Sequence, residues 1–285
     1  MRSWPIWRRK PRWRRNRKRA AVEDKHSNRL ALELVHDAPP LRIRYRPGQG
    51  DRLVLSFSGV GQSTALGDEP ALEFFRSASD GGQNHVLHIT DQSRSWLNAP
   101  GTAEAIAETA RAVADRTGAR RIAALGNSMG GTMALLIARF LPVERVIAFA
   151  PQYSVEPAIV PEEAKWKRLR RMIAQYRFPA VDSIAATGQQ FVLHGDSAEE
   201  LIHALRFPTA PNLDHFIFPG HSHDLGGDLK ANGAAARLVQ LGLTGTAAEF
   251  AAAARAEGAI SRAEFERNRP VGTAPARDTL QGVSP

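Results

Sequence analysis

Arg121-Ile-Ala-Ala-Leu-Gly-Asn-Ser-Met-Gly-Gly-Thr-Met133 reads as a short apolar strand that runs into a Gly-x-Ser-x-Gly turn and then an apolar helix. Gly126 and Gly130 flank Ser128. A serine on so sharp a turn takes a strained backbone conformation, and neighbours without a Cβ let adjoining chain pass close by. The turn also sets the serine at a helix N-terminus, where unpaired N–H groups can hold a developing oxyanion. The pattern alone is common. The strand before it and the helix after it are the context in which such a serine is presented as a nucleophile.

Working outward, short apolar runs alternate with helical stretches. Leu41–Tyr45 alternates apolar and basic residues and predicts an edge strand. Leu53–Phe57 predicts a buried strand ending in the loop Ser58-Gly59-Val60-Gly61. Pro70–Ala78 predicts a helix, Val86–Ile89 a strand, and Thr102–Arg116 an Ala-rich helix closed by Gly118. The helix after Ser128 is predicted to run to about residue 140, with strands at Val146–Ala150, Phe191–His194 and His215–Phe218. Helices are predicted over Pro161–Gln175 and Ala198–Leu205, and an Ala-rich helical region runs to about Arg267. This rhythm predicts βαβ units and a mostly parallel sheet with helices on both faces.

With 285 residues, 43% hydrophobic and 24% charged, the chain is long enough for one α/β domain with a sizeable core. It has no cysteine, which excludes disulfides, thiolate metal sites and cysteine nucleophiles. The net charge of +9 belongs to one end. Residues 1–20 hold ten Lys and Arg and no acid, so the rest of the chain stands at −1. Trp4, Trp7 and Trp13 interleave with these arginines. Three readings compete for this arm, taken as disordered over 1–30: a solvated leader, an attachment to an anionic membrane surface, or a contact to a polyanion such as nucleic acid. No apolar run has the length of a signal peptide core or a membrane span, so the chain reads as cytoplasmic, with peripheral membrane attachment as the alternative. Residues 271–285 have the composition of a disordered tail.

A serine hydroxyl needs a general base, and the base needs an orienting acid. Downstream of Ser128 the strand at 191–194 ends in Gly195-Asp196, with Glu199 and Glu200 following. The strand at 215–218 ends in Pro219-Gly220-His221-Ser222-His223. His221-Ser222-His223-Asp224 is an incomplete match to a metal-binding His-x-His-x-Asp-His string, because position 226 is Gly.

With these motifs the chain resembles the α/β-hydrolase superfamily over roughly residues 41–245. Within it, the chain is similar to bacterial serine hydrolases with a Gly-x-Ser-Met-Gly-Gly elbow, here Gly126–Gly131. Ala148-Phe149-Ala150-Pro151-Gln152 matches the family's proline-containing turn, and the Pro-Gly-x-x-His turn makes His223, not His221, the base. The usual acid position falls on Ala198. Asp196 lies closest to the strand end and is the favoured acid, with Glu199 and Glu200 as alternatives. The resemblance implies an oxyanion hole from the Met129 and Val60 amides, with Gly59 against the substrate. Asp91–Asn98 resembles a pocket-wall loop in such relatives, which puts Trp96 beside the substrate. A short helical lid is expected over about 157–185, within a domain spanning 41–268. Its Lys165, Lys167, Arg168, Arg170 and Arg171 form either a solvated face or an attractor for an anionic substrate, and Trp166 is expected in the core.

The resemblance implies hydrolysis or transfer of an acyl group, from a carboxylic ester or thioester of a small molecule or glycan, with no metal or organic cofactor. A catalytically silent scaffold, anchored by its basic arm to a membrane or polyanion, is the competing reading. No specific protein partner is inferable.

Overall fold

A computed structural model describes residues 32–61 and 69–269. The expectations for the basic arm and the C-terminal tail lie outside the described residues. Among the described residues nine strands form one sheet in the order β1-β2-β4-β3-β5-β6-β7-β8-β9. They are β1 Glu33–Ala38, β2 Leu41–Arg46, β3 Arg52–Phe57, β4 His85–Asp91, β5 Arg121–Asn127, β6 Val143–Phe149, β7 Gln189–Gly195, β8 Leu213–Phe218 and β9 Ile260–Ser261. Strands β3 to β8 pair in parallel, whereas β1–β2, β2–β4 and β8–β9 are antiparallel.

The central strands are buried on both faces, which is why they read as nearly continuous apolar runs. In β5, Ile122 and Ala124 join one core cluster and Ala123 and Leu125 the other. In β6 the same alternation sends Val146 and Ala148 one way, and Ile147 and Phe149 the other. Helices α2 (Thr102–Thr117) and α3 (Met129–Ile137) supply the first cluster through Ile106, Ala110, Met133 and Leu136. The second takes Leu238, Val239, Phe250 and Ala254 from α7 (Ala234–Thr244) and α8 (Ala247–Ala256).

Several expectations change. Leu41–Arg46 is not an edge: β1, which lies before the expected domain start at 41, covers it. The helix expected over 70–78 is only α1, Phe75–Ser79. The segment 157–185, expected as a lid, holds one short helix, α4 (Lys167–Arg170), in place of a helix over 161–175. The reason is local. Four of the five residues from Lys167 to Arg171 are cationic, and like charges along a short helix repel. The buried Arg170 guanidinium donates to the carbonyls of Val155, Val160 and Glu163, which fixes the segment as a set of turns.

The strand-to-helix turn depends on missing side chains. A Cβ on Gly126 would lie 2.1 Å from the Gly130 carbonyl oxygen, and one on Gly130 would lie 2.4 Å from the Phe57 oxygen. Both obstacles are backbone, so no side chain can swing away. Gly126→Ala is therefore expected to lower unfolding free energy by about 3 kcal/mol, at the upper end for an overpacked site. The urea midpoint reads this directly.

Candidate active site

The parallel strands deliver their C-terminal loops to one edge of the sheet, where ligands of open α/β sheets bind. Ser128 stands between β5 and α3 with φ 55° and ψ −124°, a conformation that L-residues rarely adopt. Its amide donates to Phe149 O at 2.8 Å and its carbonyl accepts from Thr132 N at 3.1 Å, so the strain is held from both sides. Ser128 itself is largely buried.

His223 follows β8 and precedes α6 (Leu225–Ala231). Its Nε2 lies 2.8 Å from Ser128 Oγ, and its Nδ1 lies 2.6 Å from Glu200 Oε1. His221 turns elsewhere, to Asp228 Oδ2 at 2.9 Å.

The acid partner differs from the expectation. Asp196 accepts from Gly220 N at 2.8 Å, which fastens the loop after β7 to the turn after β8. Glu199 accepts from the His223 backbone amide at 3.4 Å and keeps a half-exposed side chain. Glu200 alone reaches the imidazole. Helix phase decides this. Helix α5 (Ala198–Ala204) starts immediately after Ser197, and its winding carries Glu200 inward to 1% exposure. Ser197-x-x-Glu200 is also the spacing of a capping box. The Ser197 side chain makes no cap hydrogen bond, and Glu200 turns to His223 instead. Burial would raise the Glu200 carboxyl, but the His223 hydrogen bond and the nearby His194 and His203 bring it below its ordinary value. The group therefore stays ionised at neutral pH.

Gln152, in the turn after β6, touches the serine. Its Nε2 donates to Ser128 Oγ at 3.0 Å and its Oε1 accepts from Trp96 Nε1 at 2.9 Å. No sequence pattern marked it, since the contact joins loops 24 residues apart. Trp96 is thus not an open pocket wall. It is 1% exposed and supports Gln152.

Val60 and Met129 are both buried and belong to the same core cluster, Met129 as the first residue of α3. The amides of a helix's first turn lack intrahelical partners. The Gly59 amide is engaged, donating to Glu73 Oε1 at 3.3 Å, and a Cβ at Gly59 would meet that oxygen at 3.0 Å. Gly59 is therefore packed against Glu73.

Glu73 has a consequence for stability. Its Oε2 is buried without a hydrogen-bond partner among the described residues. Burial lifts its pKa from 4.5 to about 7, against the Gly59 amide and the Lys230 charge. Between these two values the folded chain keeps the proton and the unfolded chain has lost it. Stability therefore falls as pH rises through that window and levels off above it, by on the order of 3 kcal/mol in all. Glu73→Gln keeps the acceptor for Gly59 and cannot ionise. Urea titrations at pH 5 and pH 8 are expected to show a gap between wild type and variant that shifts in the variant's favour by about that amount.

Trp166, just before α4, packs against the core, its ring centroid 6.3 Å from those of both Trp96 and His223. Lys165 sits over Trp166 and 3.9 Å from Glu199. Glu163 and His203 pair at 2.8 Å in a buried contact that joins the segment before α4 to α5. Of the cations in and beside α4, Arg170 is consumed by backbone carbonyls, while Lys165, Lys167, Arg168 and Arg171 are exposed. Among the described residues no cluster of three or more His, Asp or Glu is arranged to hold a metal ion. Nor is any described helix long and apolar enough to cross a membrane.

No protein-family model and no curated protein matches the chain. Solved structures do. A hormone-sensitive lipase from a metagenome library superimposes with a TM-score of 0.52 at 15% identity, over 79% of this chain and 90% of that one. The capsule O-acetyltransferase of Neisseria meningitidis serogroup A gives 0.49 at 14% identity, over 72% and 93%. An S-formylglutathione hydrolase from Agrobacterium tumefaciens gives 0.48 at 15% identity, over 75% and 94%. The chain has the α/β-hydrolase fold. What the fold does here is a question for the site.

Proposed function

We propose that this protein cleaves or transfers an acyl group, held as a carboxylic ester or thioester, through Ser128, His223 and Glu200. The observation that carries the reading is the unbroken relay from Ser128 Oγ to His223 Nε2 and from His223 Nδ1 to Glu200 Oε1. A silent scaffold has no need of a strained serine aligned with an imidazole and a buried carboxylate. In this reading the Ser128 hydroxyl donates to Nε2 and Nδ1–H donates to Glu200. Oγ attacks the carbonyl carbon while His223 takes its proton at Nε2. The tetrahedral oxyanion is met by the Met129 and Val60 amides. Collapse expels the alcohol or thiol, which takes the proton from Nε2, and leaves the acyl group on Oγ. Water or an acceptor hydroxyl then reverses the sequence.

Glu200 supplies a fixed negative charge that steadies the imidazolium formed at each step. Trp166 packs edge-on beside the His223 ring, which supports its orientation in this reading. Rapid mixing with p-nitrophenyl acetate checks the reading. A burst of nitrophenol near one equivalent, followed by slower turnover, is expected. Folded protein that gives neither burst nor turnover with acetyl, butyryl or thioester probes contradicts it.

A further inference from the structure

Gln152 has no part in the relay, yet its amide lies 3.0 Å from the reacting oxygen. An indole N–H can only donate, so the Trp96 contact at 2.9 Å forces Oε1 toward Trp96 and turns the NH2 group onto Ser128 Oγ. The amide's orientation is thereby fixed by chemistry. Both side chains are 1% exposed.

The surroundings are built to keep it there. Trp96 sits in a loop whose Arg94, Trp96 and Leu97 all have left-handed backbone, with φ of 51°, 52° and 67°. Such conformations persist in non-glycine residues only when their surroundings over-determine them. Here the Asp91 carboxylate accepts from the amides and hydroxyls of Ser93 and Ser95. The Gln152 backbone is held as well. Thr132 Oγ1 donates to Gln152 O at 2.9 Å, and the buried His194 donates through Nε2 to Pro151 O at 2.8 Å.

We propose that Gln152 is a further catalytic residue, one that speeds release of the acyl group from Ser128 more than its loading. The inference rests on the acyl-enzyme reading above. In the free enzyme the Oγ hydroxyl already accepts from Gln152, so little is gained on the way to acylation. In the acyl-enzyme Oγ is an ester oxygen, a poor acceptor. When water or an acceptor hydroxyl attacks, His223 Nε2 takes its proton and a tetrahedral intermediate forms. The C–Oγ bond then breaks, its electron pair goes to Oγ, and Nε2 returns the proton there. Negative charge grows on Oγ in that step, in line with the Gln152 N–H. A donor that strengthens only as charge develops lowers that barrier.

The test is pre-steady-state kinetics with p-nitrophenyl acetate on wild type, Gln152→Ala and Trp96→Phe. Trp96→Phe keeps an aromatic ring, removes the indole N–H and so frees the amide to rotate. For Gln152→Ala the burst rate is expected to change less than about threefold and the turnover rate to fall about 10²-fold, the size found for removing one donor to developing charge. The acetyl adduct should accumulate on Ser128, visible by intact mass. Trp96→Phe should shift the two rates in the same direction by a smaller factor, and it carries the test if the alanine variant does not fold. Equal loss of both rates, or turnover at the wild-type rate in both variants, overturns the proposal. If the wild type itself forms no acetyl adduct, the acyl-enzyme reading has failed rather than the role of Gln152.

Discussion

Ser128→Ala is expected to lower kcat/KM for an activated acyl ester by about 10⁵- to 10⁶-fold, the size seen when a hydrolase loses its nucleophile. The fold should survive. The backbone strain at this position is held by the Phe149 and Thr132 hydrogen bonds, which alanine retains. Alanine leaves the Gln152 amide and His223 Nε2 without their partner. That costs about 1–3 kcal/mol for a buried donor and lowers the melting temperature by several degrees. Activity assays on the purified variant, with circular dichroism as the folding control, check both parts.

Glu200→Gln is the second large effect, and it separates the three candidate acids. The substitution keeps the side chain's size and removes its charge. The amide then no longer stabilises the imidazolium that forms as His223 takes the serine proton, and it can present an N–H to Nδ1 and trap the wrong tautomer. A loss of about 10³- to 10⁴-fold in kcat is expected. Asp196→Asn should cost less than about tenfold, because its oxygen can still accept from Gly220 N. Glu199→Gln should behave likewise, since its contact is to the His223 backbone amide. Steady-state kinetics on the three single variants give the ranking. Asp196→Asn as the most damaging of the three would contradict the assignment.

Much of the architecture is legible in the amino-acid sequence. The inner strands β3 and β5 to β8 are buried on both faces and so announce themselves as apolar runs. The Ser128 turn carries its own glycine requirement, now visible as the closeness of Gly130 and Phe57 backbone. Strand β1 was not legible. Its sequence Glu-Leu-Val-His-Asp-Ala lies mostly exposed at the sheet's edge and shows no clean alternation. Strand β9 is two residues long.

The candidate site brings together two residues that sequence motifs single out, Ser128 and His223, and a third, Glu200, that they do not. Ser128 and His223 are marked by the turns that carry them. Three carboxylates fall within five residues after β7, and choosing among them requires knowing where α5 starts and which way its first turn faces. Proximity to the strand end favoured Asp196, and helix phase favours Glu200. Gln152 and Trp96 meet the serine only through tertiary packing, and no local pattern reports that. The segment 161–175 misled for the opposite reason. Its apolar spacing suited a helix, but Arg170 was drawn inward by backbone carbonyls.

The most direct measurement is covalent labelling with a fluorophosphonate followed by peptide mapping. A single adduct on Ser128 is expected, absent in Ser128→Ala and strongly slowed in His223→Ala. Folded wild-type protein that takes no label, or takes it equally in Ser128→Ala, would contradict the assignment of Ser128 as an activated nucleophile.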